Sequence, residues 1–406
     1  MSVLPLRIGF VVLHTSPLDE PGTKDAGGMN VVVLAQAREL ARRGHQVELI
    51  TRRSAAEQPA SLQLAEGLRL HHLDAGPQRL LDKGAHETLM PAFTAALAAL
   101  LGRLPLDLLH AEHWFSGIAA LPVARRLGIP LAQSFHSIAA GSDTPLASGE
   151  RAESPGRLVG EQTLARDADL VIAVSEAEAA TVRARLGGER VAVVPLGVNA
   201  ADFYPLGAGE RAAHLQRRRA GEPAEVLVAG RLHPLKGFDL AIDAVAAISS
   251  RERPVLRIVG APPPDDDGYT ARLHAAAERL NGAVRFDGAL HRDELADRLR
   301  HADLVLVPSH SETFGLIALE AAASGVPVIA AADAGGLREA VLDGETGLLI
   351  DGRDPATWAA AIREVLSDEA GWIRMGESAR AFAERRSWSA STDRLLVAYA
   401  GILPRR

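Results

Sequence analysis

The sequence predicts an α/β protein of two doubly wound domains facing each other across a cleft, and three observations carry that expectation. Short apolar runs alternate with Ala- and Arg-rich helical stretches from one end of the chain to the other, the pattern of a parallel sheet wrapped by helices. The 406 residues are long for one core and point to about two domains. The alternation breaks once, near Pro195–Ala224, and a fresh strand begins at Glu225.

In the first half, apolar runs buried on both faces place strands at Leu6–His14, Gln46–Thr51, Leu68–Leu73, Leu106–His110, Pro130–Phe135, Asp169–Val174 and Val191–Pro195. In the second half they fall at Glu225–Ala229, Val255–Val259, Val284–Phe286, Asp303–Val307, Pro327–Ala330 and Gly347–Ile350. Helices between them include Asn30–Arg43, Gly117–Leu127, Glu176–Arg185, Phe238–Ala247, Arg292–Arg300 and Pro355–Leu366. At the break, a Pro- and Gly-bearing segment leads into the polar stretch Glu210–Glu222, whose Arg217, Arg218 and Arg219 read as a solvated surface run. Gly141–Pro155 is polar and rich in Gly and Pro, which predicts a mobile loop at the cleft rim. The domains are set at 1–198 and 199–387.

Bulk properties narrow the function. Charged residues make up 23% and hydrophobic ones 47%, an ordinary globular composition. A formal net charge of -7 argues against nucleic acid as a partner. With no cysteine, disulfides, zinc–thiolate sites and thiol catalysis are ruled out. The opening M-S-V-L-P-L-R-I-G-F-V-V-L-H lacks a cleavage site and is interrupted by Arg7, and nothing approaches the roughly 20 apolar residues of a membrane span. A cytoplasmic protein is expected.

The richest segment is Ser311–Ala321, S-E-T-F-G-L-I-A-L-E-A, following the strand Asp303–Val307. Gly315 allows a tight turn into a helix whose first amides, after Thr313 and around Phe314 and Leu316, offer a diphosphate an anion site. Glu312 before that turn and Glu320 more than a turn beyond it flank the site with hydroxyl acceptors, as a sugar nucleotide requires. Taken alone, the pair reads equally as a loop acid and a helix-surface acid. Gly230–Gly237, G-R-L-H-P-L-K-G, puts Arg231 and Lys236 at the carboxyl end of another strand, where a fork and a point charge suit a diphosphate. In D-A-G-G-M-N, Asp25–Asn30, the paired Gly27 and Gly28 permit close backbone approach of a ligand or simply form a turn. This is not the dinucleotide fingerprint G-x-G-x-x-G. His110, His113 and His136 end adjacent strands, but His110 and His113 sit at a loop spacing without the pattern of a metal site. His110 reads as structural, whereas His136 is placed for a sugar hydroxyl or the reacting centre.

With these motifs the chain resembles the retaining GT-B glycosyltransferases of family 4 over nearly its whole length. G-G-M-N at 27–30, G-R-L-H-P-L-K-G at 230–237, E-T-F-G-L-I-A-L-E at 312–320 and G-G-L-R-E at 335–339 carry the likeness, with V-L-D-G-E-T-G-L-L-I at 341–350 and R-S-W-S at 386–389. The resemblance implies that 1–198 binds the acceptor, that 199–387 is a Rossmann-like domain for the nucleotide sugar, and that 388–406 crosses back onto the first domain. It implies donor contacts from Gly27, Gly28, Arg231, Lys236, Glu312, Thr313, Phe314, Gly315, Leu316 and Glu320, with His136, Arg231, Lys236 and Glu312 catalytic. No cofactor beyond the sugar nucleotide is implied, and Mg2+ is not expected as a protein-bound catalytic metal. A homodimer is compatible with it.

Within the family, A-R-E-L-A-R-R-G-H-Q-V-E-L-I-T-R and A-G-P at 75–77 are similar to the mycothiol-pathway subgroup that moves N-acetylglucosamine from UDP to inositol phosphate. That likeness implies acceptor contacts from Asn30, Lys83, His113, Ser137 and Arg157. Ser137 stands where Thr is usual and His113 where Tyr is usual, and Ala140, Gly141 and Ser142 replace a Lys-Asn pair. An Asn expected near the end of Asp169–Val174 is also missing. From its surroundings, D-K-G-A-H-E, Lys83 reads equally as a surface lysine. The expected partners are a UDP-sugar and a small polar, phosphorylated acceptor. Another sugar phosphate, an aminocyclitol, a lipid acceptor, a phosphorylase-like use of the cleft, and a sugar-nucleotide-binding protein without turnover are the alternatives.

Overall fold

The computed structural model describes residues 5–20, 26–263 and 266–404. Asp25 of the D-A-G-G-M-N motif lies outside them, as do 1–4 and 405–406 of the expected domain ranges. The chain divides into two compact units. One runs up to Pro195 and is rejoined by the segment from Trp388, and the other takes Leu196–Ser387.

The first unit carries β1 (Arg7–Val12), β2 (Gln46–Arg52), β3 (Ser61–Ala65), β4 (Leu68–Leu73), β5 (Leu108–Glu112) and β6 (Leu131–Ser134). The two-residue strands β7 (Ala139–Ala140) and β8 (Glu150–Arg151) pair with each other, and β9 (Leu170–Ala173) and β10 (Val191–Val193) follow. The main sheet has the order β10-β9-β6-β5-β1-β2-β4-β3. All its pairs are parallel except β3–β4. β1 shows why such strands read as unbroken apolar runs. Ile8, Phe10 and Val12 point to one core with Val33, Ala37 and Leu40 of helix Gly28–Arg42. Val11 and Leu13 point to the other, with Phe93 and Leu97 of Met90–Leu101 and Phe115, Ala119 and Val123 of His113–Leu127. Leu395 and Tyr399 of helix Trp388–Ala400 complete the first of these cores, and both are fully buried.

The second unit is built on β11 (Glu225–Ala229), β12 (Val255–Val259), β13 (Val284–Gly288), β14 (Leu304–Val307), β15 (Val328–Ala331) and β16 (Gly347–Ile350). Their order is β13-β12-β11-β14-β15-β16, all parallel. The chain therefore winds one way from β11 to β13 and the other way from β14 to β16. The crevice at the carboxyl ends of β11 and β14 is the point where such sheets bind ligands. In the first unit the corresponding reversal lies between β1 and β5.

Three local expectations change. The polar stretch Glu210–Glu222 is largely helix, Ala208–Arg219, and belongs to the second unit. Its arginines are paired rather than merely solvated: Arg217 with Glu222 at 3.5 Å, Arg218 with Asp303 at 3.5 Å, and Arg219 with Glu369. The helix expected from Gly117 starts at His113, so His113 opens a helix instead of lying on a loop. Glu176–Arg185 is helical only to Thr181 and ends in a single π turn, Val182–Leu186.

Candidate active site

In the second unit the fold brings Lys236 and Glu312 together. β11 ends at Ala229, and Lys236 closes the single turn Pro234–Lys236 that follows. β14 ends at Val307, and Glu312 lies in the loop beyond it. The Lys236 ammonium is 2.6 Å from Glu312 Oε1, and the Ser309 hydroxyl donates to the same oxygen at 2.8 Å. The glutamate backbone is clamped by the segment after β15. Glu312 N donates to the Ala334 carbonyl at 3.2 Å, and its own carbonyl accepts from Gly336 N at 3.0 Å. A Cβ on Gly336 would lie 2.2 Å from the Thr313 carbonyl oxygen, so G-G at 335–336 is needed for the two backbones to approach.

Gly315, with φ of 97°, turns the chain into helix Leu316–Ala323. The amino end of that helix thus sits at the carboxyl end of β14, beside Lys236, and the helix dipole adds positive potential there. Arg231 follows Gly230 at the end of β11 and is half-buried. The Phe314 side chain is buried in the core, so its position can serve a ligand only through the backbone. Glu320 is also buried, and Arg292 meets it at 2.7 Å while lying 4.8 Å over the Phe203 ring. Burial pushes the Glu320 carboxyl above its ordinary range, against the pull of Arg292. Arg292 was not expected from the sequence. Its only signal there is a cation opening a predicted helix.

The first unit gathers its polar groups around the β1/β5 reversal. Glu112, the last residue of β5, is fully buried, and His136 Nε2 lies 2.5 Å from its Oε2. Burial raises the Glu112 pKa, but the nearby His110 and His136 prevail and hold it below the ordinary carboxylate range. An ionised carboxylate only accepts, so His136 Nε2 is the donor. His136 itself adopts φ of 60°, a strained backbone that aims the ring at Glu112. His110 has both ring nitrogens engaged, with Tyr399 Oη at 2.7 Å and Ser134 Oγ at 2.9 Å, which suits a structural residue.

His113 belongs to a buried cluster. Its ring lies 4.5 Å from that of His14, and His14 lies 6.2 Å from His86. His14 Nδ1, His86 Nε2 and both nitrogens of His113 have no hydrogen-bond partner. Burial, followed by the charges of Lys83, His86 and Arg157, depresses the His14 pKa well below its ordinary value. Burial does the same to His113, helped by His14, Lys83 and Arg157. The neutral ring of His113 offers one donor and one acceptor, the complement of a polyol hydroxyl, whereas His86 donates from Nδ1 to the Lys83 carbonyl at 3.0 Å and keeps only Nε2 as an acceptor. Among the described residues no three His, Cys, Asp or Glu are arranged to hold a metal.

Lys83, Ser137 and Arg157 converge, and the group they converge on is Glu150. Ser137 Oγ donates to Glu150 Oε2 at 2.7 Å, Arg157 Nη1 lies 3.3 Å from the same oxygen, and Lys83 Nζ is 3.6 Å from Oε1. Arg157, fully buried, also holds Glu153 Oε2 at 2.5 Å, Glu161 Oε1 at 2.8 Å and Ser137 Oγ at 2.8 Å. Asn30 spends its side chain on the chain itself: Oδ1 accepts from Gly27 N at 3.1 Å, and Nδ2 donates to Thr15 Oγ1 at 3.1 Å and the Ser16 carbonyl at 2.6 Å. It ties Gly27 to Thr15 and Ser16. A Cβ at Gly27 or Gly28 would meet nothing within 4 Å among the described residues. His14, Glu112 and Glu150 were missed in the sequence, although His14 and Glu112 both lie at the carboxyl ends of strands flanking a reversal of strand order.

Comparisons with known proteins agree on the class. Residues 211–385 match the family model described as glycosyl transferases group 1, and residues 27–197 match a glycosyl transferase 4-like domain. The chain is 41% identical to a D-inositol 3-phosphate glycosyltransferase of Stackebrandtia nassauensis, covering 99% of this chain and 93% of the relative. It is likewise 41% identical to the protein of that name from Kineococcus radiotolerans, over 97% and 94% of the two chains. Among solved structures, sucrose-phosphate synthase from Thermosynechococcus elongatus superposes with a TM-score of 0.87 at 28% identity, covering 98% of this chain and 99% of the other. No helix among the described residues is long and apolar enough to cross a membrane.

Proposed function

The chain belongs to the family 4 glycosyltransferases of GT-B fold, and from that membership we propose that it moves N-acetylglucosamine from UDP onto a hydroxyl of inositol phosphate with retention at the anomeric carbon. The observation that carries the donor half is the meeting of Lys236 and Glu312 at the strand-order reversal of the second unit, beside a helix amino end. The acceptor half draws support from the two relatives named D-inositol 3-phosphate glycosyltransferase.

In this reading Arg231 and Lys236, with the amides beyond Thr313, take up charge as the bond from the anomeric carbon to the diphosphate breaks. Stabilising developing charge with preorganised donors is often the largest catalytic contribution. The acceptor oxygen bonds to the same face of the anomeric carbon, and its proton leaves with the nucleoside diphosphate. The scheme uses neither a covalent nucleophile nor a protein-bound metal. Glu312 binds ring hydroxyls of the sugar, and Glu320 binds the ribose once Arg292 shares it. His136, backed by Glu112, and the backbone of Gly27 and Gly28 contact the transferred sugar. His113 reads acceptor hydroxyls, and Lys83, Ser137 and Arg157 receive the acceptor phosphate.

Release of nucleoside diphosphate over a grid of donors and acceptors tests the proposal, with UDP-N-acetylglucosamine plus inositol phosphate expected to be the most active pair. Release of a sugar 1-phosphate, or tight nucleotide binding with turnover no faster than background, defeats it. Glu312→Gln is expected to lower kcat by about a hundredfold, the usual effect of removing one transition-state contact. Glu320→Gln is expected instead to weaken UDP binding about tenfold, read by calorimetry. Unchanged kinetics and binding in both variants would remove the donor assignment.

A further inference from the structure

We propose that Glu150 is an internal anion occupying the seat of the acceptor's phosphate, so that a phosphorylated acceptor binds only by displacing it. This rests on the acceptor reading above, and it adds a specificity-determining residue that the reading does not contain. The three groups that would hold a phosphate all hold this carboxylate: the Ser137 hydroxyl at 2.7 Å, Arg157 Nη1 at 3.3 Å and Lys83 Nζ at 3.6 Å. A hydroxyl, a guanidinium and an ammonium around one pair of oxygens form a site for an oxyanion whatever its source.

The cations there are already outnumbered by acids without a ligand. Lys83 and Arg157 face Glu150, Glu153 and Glu161, and a phosphate added to that set meets three carboxylates and two cations. Of the three acids Glu150 is the replaceable one. Glu153 and Glu161 lie closer to Arg157, at 2.5 and 2.8 Å, and Glu153 is further held by Trp114 Nε1 at 2.6 Å. Glu161 accepts from the Ala139 amide at 3.0 Å. Arg157 therefore remains compensated when Glu150 leaves.

The seat is also built rather than incidental. Glu150 pairs with Ala139 in the β7–β8 bridge, and Gly149 before it has φ of 128°. A Cβ on Gly149 would lie 2.4 Å from the Ile138 carbonyl oxygen. Arg151 after it ties the loop with bonds to the Gly141 carbonyl at 2.6 Å and Thr144 Oγ1 at 3.0 Å. A second, independent observation points to a polar ligand here. The buried rings of His86 and His113 keep nitrogens without partners, and His113 feels the charges of both Lys83 and Arg157.

Glu150→Gln keeps the shape and removes the charge. In the full chain, the ratio of KM for inositol 3-phosphate to KM for unphosphorylated inositol is expected to fall at least tenfold. Inorganic phosphate, titrated by calorimetry as a probe independent of turnover, is expected to bind at least tenfold more tightly. Glu150→Ala should shift both quantities in the same direction, separating loss of the anion from any new contact of the amide. An unchanged KM ratio with unchanged phosphate affinity, in variants whose thermal unfolding and UDP affinity match the parent, overturns the role of Glu150 while leaving the acceptor reading intact. Tighter phosphate binding without turnover of any inositol derivative keeps the Glu150 seat and defeats the acceptor reading.

Discussion

Glu178 is a carboxylate for which the fold supplies too few donors. It lies in the first turn of Glu176–Thr181, nearly fully buried, with Oε2 accepting from Val174 N at 2.7 Å and Oε1 without a partner. Burial raises its pKa from 4.5 to about 7, more than the Val174 amide and His136 lower it. Because folding raises this pKa, the folded chain keeps a proton that the unfolded chain has already released. Stability is therefore fully present below about pH 4.5 and is lost as pH rises through about 7. The loss is on the order of 3 kcal/mol for a shift of this size. Glu178→Gln should raise the melting temperature above that of the parent at pH 8 and lose that advantage at pH 4.5, measured by calorimetry across the range. An equal difference between the two proteins at both pH values would show that Glu178 ionises normally.

Parallel strands that read as unbroken apolar runs were the legible elements. Leu68–Leu73, Glu225–Ala229, Val255–Val259 and Gly347–Ile350 occupy the residues expected for them. β3 was missed because it is an antiparallel edge strand, mostly exposed, with no continuous apolar run to announce it. Helix Ala208–Arg219 was missed because only His214 on it is buried, so a polar helix reads like a linker. The site followed the same logic. Lys236 and Glu312 each sit in a motif with its own local signature, so both could be named before their contact was known. Glu150 meets Arg157, Ser137 and Lys83, 7, 13 and 67 residues away, and Arg292 meets Glu320 across 28, spacings that match no motif. Gly336 shows how the second kind of constraint can be tested. Its φ of -68° is open to any residue, yet an added Cβ collides with a backbone carbonyl that cannot turn aside. Gly336→Ala should destabilise the second unit by about 1–3 kcal/mol and weaken UDP binding by displacing Glu312. Melting and UDP titration together check this, and a variant matching the parent in both would show that the segment 311–315 yields freely.

At the scale of the whole molecule, the sequence boundary and the physical one are different things. The first unit is assembled from two stretches of chain, and helix Trp388–Ala400 supplies part of its core. Tyr399 also bonds His110, which lies two residues from Glu112, and Arg43 meets Asp393 at 2.5 Å. Ending the chain at Ser387 removes the fully buried Leu395 and Tyr399, uncovers the core they pack on, and should cost the first unit about 5 kcal/mol. That is comparable with the whole margin of a small domain. The shortened protein is expected to lose one of two unfolding transitions, or to be recovered only as aggregate. Two transitions at the parent's temperatures would show the helix to be dispensable. During synthesis on the ribosome this arrangement inverts the usual order in which the leading domain folds first. Residues 196–387 are contiguous and can close as soon as they emerge, whereas the unit begun first is finished last. Until Tyr399 has been made, one face of its sheet, with Ile8, Phe10 and Val12, stays partly uncovered, a surface for a chaperone to hold while the rest of the chain is translated.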